Sequence, residues 1–213
     1  MRILAFLSLL ALVTSVVASD RPLSFRHDVL PVLSKDGCKS GGCHGALAGK
    51  GGFRLRLNAY DPATDHYNIT RENRGRRIEF ADPARRLFVI QPTDAVRHTG
   101  GQFHHGAHDN YKLPIGWIQQ GAPGPSTDDT KLNRIELSPA LSQLNKGDTQ
   151  PLTVHAFFSD GTKRDVTRWA RFTPTDATIA EVDEPTGLAQ VLGYGEGAIS
   201  VWYSVQLALA RIT

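Results

Sequence analysis

Cys38-Lys39-Ser40-Gly41-Gly42-Cys43-His44-Gly45 is the stretch on which the first half of this chain turns. Two thiols with four residues between them, and an imidazole directly after the second, form a C-x4-C-H motif. In c-type haem attachment, two thiols add to the porphyrin vinyl groups and the adjacent histidine ligates the iron, ordinarily with C-x-x-C-H spacing. That chemistry requires sulfur and imidazole on one turn, which Cys43-His44 supplies. The two extra residues require a bulge, and Ser40-Gly41-Gly42 is a sequence in which a bulge costs little. Three other readings fit the same residues: a disulfide closing a small loop, a zinc site that uses His44 and a later histidine, or free buried thiols.

Upstream, Phe25, Val29, Leu30, Val32 and Leu33 have the spacing of a short amphipathic helix, with Ser24 as its N-cap and Gly37 ending it just before Cys38. Pro31 interrupts that pattern and predicts a kink or a late start. Downstream, residues 39–53 are glycine-rich, which predicts tight turns or close backbone approach. Arg54-Leu55-Arg56-Leu57 alternates as a short strand does, and Pro83 to Ile90 reads as a helical turn. Residues 98–108 form a loop of glycine and histidine. Asn110 to Gly121 reads as a second helix, with Leu113, Trp117 and Ile118 on one face and Gly121 at its end. An apolar helix on each side of the attachment loop is what a small domain needs to bury a large apolar ring.

Residues 123–130 have the composition of a linker. Beyond them the period changes to two. Leu132 to Leu137, Leu152 to Phe158, Trp169 to Phe172, Ile179 to Val182, Leu188 to Leu192, Ile199 to Tyr203 and Leu207 to Ile212 read as strands, separated by turns such as Ser159-Asp160-Gly161. Seven short strands at this spacing predict an antiparallel β-sandwich over residues 131–213.

At the other end, Arg2, the apolar run Ile3 to Val17 and the small residues before Asp20 have the three-part pattern of a secretory signal peptide over residues 1–18, cleaved after Ala18. The chain is then exported, to the periplasm or cell envelope. No other run approaches membrane-spanning length, so the mature chain is expected to carry no transmembrane segment. Charge is split. Residues 19–125 carry 15 Lys and Arg against 10 Asp and Glu, and residues 126–213 carry 8 against 11. The split argues for two units. The basic residues are scattered, without a recognition motif, which excludes nucleic-acid binding. Two cysteines in 213 residues exclude a disulfide scaffold.

Several of these residues together resemble a known family. Val29-Leu30-Pro31-Val32-Leu33, Cys38, Cys43-His44-Gly45, Leu87 to Pro92, His98-x-Gly100-Gly101 and Trp117-Ile118-x-x-Gly121-Ala122-Pro123 resemble the planctomycete-type cytochrome c domain. Residues 131–213 are similar to a bacterial immunoglobulin-like group 2 domain (BIG2), on Leu137-Ser138-Pro139, Phe158 to Thr162, Asp165-Val166-Thr167 and Gly193-x-Gly195-Glu196-Gly197. The resemblance implies a multi-domain fold: a small, mostly α, cytochrome c-like haem domain over residues 19–122, then an all-β immunoglobulin-like sandwich. It also implies one covalent haem c on Cys38, Cys43 and His44, electron transfer to a redox partner protein, and membership of a longer polypeptide.

Met1 is the only methionine and lies in the signal segment, so a His/Met iron site is excluded for the mature chain. His98 is the candidate second metal ligand beside His44, with His104, His105, His108 or an open position as alternatives. His27 and His66 are expected at the surface, and His155 outward on a strand. The competing functional reading is a non-redox cell-envelope binding or adhesion protein whose first domain holds a structural disulfide or metal. No catalytic constellation stands out beyond the haem motif.

Overall fold

The computed structural model describes residues 21–45, 47–100 and 110–213. Residues 1–18, expected to be a signal peptide, and His104, His105 and His108 lie outside them. Two separate apolar cores divide the described chain, one built from residues 25–122 and mostly helical, the other from residues 152–212 and β.

Ser24 opens the first helix. Its hydroxyl accepts from the His27 N–H at 3.2 Å, and the Asp28 carboxylate accepts from the Ser24 N–H at 2.7 Å, a reciprocal cap. The first turn is wide: Phe25–Val29 is a π-turn, with the Leu30 N–H bonded to Phe25 O, and helix α1 follows as Leu30–Lys35. Starting α1 at Leu30 places Pro31 in the first turn, where its missing N–H costs little. The His27 carbonyl, one turn before Pro31, accepts instead from the Tyr203 hydroxyl at 3.0 Å.

Helix α2 (Pro62–Thr70) begins at Asp61, whose carboxylate accepts from the Thr64 N–H at 3.0 Å. Sequence periodicity does not reveal it, because its buried face is Pro62, Asp65, Asn68 and Ile69, half of it polar. Arg54 to Leu57 is not a strand: among the described residues the nearest pairing is an isolated bridge between Lys50 and Phe53, just before it, and Leu57 begins a 3-10 turn. Two alternating pairs are too few to hold a ladder when no partner strand lies alongside. A turn at Pro83–Arg85 leads into α3 (Leu87–Ile90). Helix α4 (Lys112–Gln119) ends at Gly121, φ +90°, where Gly121 and Ala122 N–H groups bond back to Ile118 O and Trp117 O, both at 2.9 Å. Phe25, Leu30, Leu33, Leu55, Ile69, Phe88, Trp117 and Ile118 fill the first core.

The second half contains ten strands: β1 (Leu132–Ser138), β2 (Leu141–Ser142), β3 (Thr149–Pro151), β4 (Thr153–Phe158), β5 (Lys163–Asp165), β6 (Arg171–Pro174), β7 (Ala180–Asp183), β8 (Leu188–Val191), β9 (Gly197–Tyr203) and β10 (Gln206–Ile212). They form sheets ordered β1-β4-β5, β2-β10-β9-β6 and β3-β8-β7 around one core, a sandwich-like arrangement. Pairing is antiparallel except for β2 with β10, which is parallel. Each of the seven strands expected from alternation has a counterpart, but the one expected from Trp169 begins only at Arg171, because Thr167–Trp169 is a 3-10 turn. β2, β3 and β5 are two or three residues long and carry no alternating apolar signal. On β4, Val154, Ala156 and Phe158 are buried, while Thr153, His155 and Phe157 lie on the more open face, the side expected for His155.

The two halves dock through the first helix. The Lys35 ammonium donates to Ala170 O at 2.5 Å and Glu184 O at 2.6 Å, and pairs with the Glu184 carboxylate at 2.8 Å. Arg26 pairs with Asp129 at 3.3 Å, and Trp169 packs against both cores. His27, expected at the surface, is only 6% exposed, with its ring against Phe158 at 5.0 Å and Nε2–H donating to Thr130 O at 2.5 Å. His66, also expected outside, is half-buried, bonds to Ala122 O at 2.9 Å and packs on Phe25 and Trp117. Both corrections have one cause: each imidazole covers a neighbouring aromatic ring and ties down a carbonyl of the 122–130 connection.

Burial holds the His27 imidazole below its ordinary pKa of 6.5, and the bond to Thr130 offsets this only in part. The unfolded chain takes up a proton near 6.5 that the folded chain refuses. This contribution to stability is therefore complete above that pH and declines as pH falls below it. In thermal melts across the mildly acidic range, Tm of the wild type should fall more steeply than that of His27→Gln; equal slopes would contradict a neutral buried His27.

Candidate functional site

Gly37, at φ +75°, turns the chain out of α1 and into the C-x4-C-H loop. Successive turns wind that loop: Ser40 N–H to Gly37 O at 3.0 Å, Cys43 N–H to Ser40 O at 3.0 Å and Gly45 N–H to Ser40 O at 2.9 Å. The His44 N–H donates to Cys38 O at 3.1 Å, which draws the two ends of the motif together. Gly41 and Gly42 are exposed, have no positive φ and would accept a side chain without contact. The expected glycine bulge is therefore a set of ordinary turns that other residues could form. Gly45 is the position with no room, since a Cβ there would lie 2.2 Å from Lys39 O.

Lys39, inside the motif, points inward. Its ammonium meets the Asp65 carboxylate of α2 at 2.5 Å, with side chains 2% and 0% exposed, and Asp65 also accepts from the Arg56 N–H at 2.6 Å. Burial pulls the Lys39 ammonium down and pushes the Asp65 carboxyl up, while their mutual attraction opposes both. The pair pins the loop to the helix behind it. Sequence reading missed both residues, although Asp61-Pro62 is a helix-start signal that points to α2.

The loop presents His44 with one nitrogen occupied. Nδ1–H donates to Phe53 O at 2.9 Å, and the His44 carbonyl accepts from the Leu55 N–H at 2.8 Å. Burial keeps the imidazole pKa below its ordinary range, so the ring is neutral at pH 7. A neutral imidazole tethered through Nδ1 to a carbonyl, with Nε2 left over, is the arrangement of metal-ligating histidines. The Phe53 ring lies 4.7 Å from His44, and the Arg77 guanidinium covers Phe53 at 4.2 Å. Arg77 is itself held by Glu72 at 3.0 Å and Asn68 O at 2.7 Å.

His98 lies 6.2 Å from His44, centre to centre, with ring planes 20° apart. Two imidazoles that ligate one metal ion from opposite sides, at about 2.0–2.1 Å per bond and a further ~1.1 Å from nitrogen to ring centre, stand about 6 Å apart. The separation fits an iron between them. Both rings line a cavity with about 1000 Å³ of empty space, part of it open to solvent. Leu33, Leu55, Leu87, Phe88 and Pro92 supply its apolar wall. Cys38 also lines it, 5% exposed, with burial pushing its thiol up to about 12, so that it stays protonated. Cys43 is half-buried. A Cβ on Gly100 would lie 3.2 Å from Cys43 Sγ and 3.4 Å from His98 Nε2, which places the sulfur and the His98 imidazole beside one glycine. Both thiols are unpaired.

No protein-family model and no curated protein matches this chain. The site is therefore read from its own residues. Among those described, no three His, Cys, Asp or Glu side chains converge as a metal-ligand cluster, so Cys38, Cys43, His44 and His98 do not form a zinc-type set. They would suit a group held by two sulfurs and two imidazole nitrogens against an apolar wall. Lys50, Arg76 and Arg97 stand at the cavity mouth. Lys50 is bonded to Thr99 O, while Arg76 and Arg97 are exposed. Among the described residues, no helix is long and apolar enough to cross a membrane.

Proposed function

We propose that this is an exported c-type cytochrome, periplasmic or in the cell envelope, that carries one covalent haem and passes electrons to a redox partner protein. In this reading the first half is a cytochrome c-like domain and the second an immunoglobulin-like domain of the bacterial group 2 type. Cys38 and Cys43 would hold the haem covalently through their sulfurs, and His44 and His98 would supply nitrogen ligands to its iron. The haem supplies a ferrous/ferric couple; the chain supplies its position and surroundings. The observation that carries the reading is the His44–His98 pair, at the separation of two ligands to one iron, in a cavity with an apolar wall that Cys38 also lines, with Cys43 beside His98.

The residues around the slot have defined tasks. Phe53 O fixes the His44 tautomer and leaves Nε2 for the iron. Leu33, Leu55, Leu87 and Phe88 would keep water from the bound group. Arg76 and Arg97 offer cations at the mouth, where the haem carboxylates would meet solvent. The absence of methionine from the mature sequence predicts a comparatively low potential, because Met/His ligation raises it. The docked β-domain, joined through Lys35, His27 and Trp169, extends the haem domain as one body for partner docking.

Haem staining on a denaturing gel tests the reading, since thioether attachment survives unfolding. Protein produced with haem-maturation machinery should stain at the mass of the chain. An unstained band would leave the binding-protein alternative, for which the unpaired thiols and the lack of a metal cluster among the described residues give no specific support.

A further inference from the structure

The two imidazoles are held very differently. His44 sits in a wound loop, with its N–H on Cys38 O, its carbonyl on Leu55 N–H and its Nδ1 on Phe53 O. His98 has none of this. Its Nδ1 is buried without a hydrogen-bond partner. Arg97, Thr99 and Gly100 around it are exposed, and among the described residues one hydrogen bond, Lys50 Nζ to Thr99 O, ties residues 97–100 to the rest of the fold. A metal-ligating histidine is ordinarily oriented and made more basic by a partner on its second nitrogen, and loss of such a partner weakens metal affinity about 10–100-fold.

We propose that His98 is an exchangeable ligand, released to admit a small uncharged diatomic gas to the iron, so that the slot is a gas-binding site as well as an electron-transfer centre. This rests on the haem reading above. The exchange is one coordination bond broken, iron to His98 nitrogen, and one formed, iron to the incoming ligand, with no electron or proton moved. The class of ligand follows from the slot. Leu33, Leu55, Leu87, Phe88 and Pro92 give it an apolar wall that a small neutral molecule can fill, while Lys50, Arg76, Arg77, Gln91 and Arg97 line the same cavity. The released imidazole loses little, because its Nδ1 has no bond to break and solvent offers it one. Gly100 sets how tightly His98 fits, since a Cβ there would stand 3.0 Å from its Cε1.

Carbon monoxide on the reduced, haem-loaded full chain is the probe. The wild type should show a carbon-monoxide Soret shift, with an observed rate that levels off as gas concentration rises, set by His98 release. His98→Ala should bind at least about 10-fold faster, with a rate linear in gas concentration. Gly100→Ala, by crowding the ring, should raise the plateau rate. A reduced wild-type spectrum unchanged by saturating carbon monoxide overturns the inference while leaving the cytochrome reading intact. Equal rates in wild type and His98→Ala overturn it too, since His98 is then not what the gas displaces. A chain that carries no haem overturns both.

Discussion

Asp65→Ala should destabilise the helical half by roughly 3–5 kcal/mol, the cost of leaving a buried charge unpaired. Lys39 would remain 2% exposed with its ammonium facing a void, and the Arg56 N–H would lose its acceptor. The effect should exceed that of any surface ion pair here, such as Arg86 with Glu79, where both partners are well exposed and solvent screens the attraction. The double variant Lys39→Met/Asp65→Leu removes both charges and fills most of the space. It should recover much of the loss, because a buried pair replaced by apolar groups of similar volume is often neutral. Urea unfolding of the two variants decides the matter. Equal losses in the single and double variants would mean that the pair is not a compensated charge. The same substitutions should loosen the C-x4-C-H loop, since Lys39 lies between Cys38 and Ser40 and Asp65 is its anchor on α2.

Trp117→Ala is the second large effect expected, about 3–5 kcal/mol. Trp117 is fully buried, touches Phe25, Phe88 and His66, and is the largest side chain of the first core. Its Nε1–H donates to Pro123 O at 3.0 Å, so the substitution also frees the start of the connection that His66 and His27 hold further along. Trp117→Phe keeps most of the volume and should cost less, the remainder reflecting the lost bond to Pro123 O. A thermal melt in which Trp117→Ala matches wild type within about 1 °C would contradict the packing described.

Much of this architecture could be read from residue patterns, for identifiable reasons. The β-domain announces itself because Val154, Ala156 and Phe158, and Ile199, Val201 and Tyr203, recur at every second position, although Phe157 and Trp202 lie between them, and because Asp160-Gly161 is placed as a turn. Helix α4 is legible through Leu113, Trp117, Ile118 and Gly121. Helix α2 is not, because it buries Asp65 and Asn68, and a buried polar face has no hydrophobic period. The docking of the halves is hidden for a different reason. Lys35 with Ala170 and Tyr203 with His27 are 135 and 176 residues apart, and no local pattern encodes either pair. The site divides in the same way. Cys38, Cys43 and His44 form one local motif. His98 is singled out only by its glycine-bearing loop, and its distance from His44 comes from the fold. Lys39 looks like a spacer in the motif and serves as its anchor.

The pyridine haemochrome spectrum of unfolded protein, taken for wild type and for Cys38→Ser and Cys43→Ser, bears most directly on whether these two thiols capture a porphyrin. Wild type should give the band of a haem with both vinyl groups saturated. Each single variant should shift that band toward a haem with one free vinyl, and the double variant should leave no haem on the chain. Porphyrin absorbance that fails to follow the unfolded polypeptide, or a band that neither substitution moves, would contradict the account.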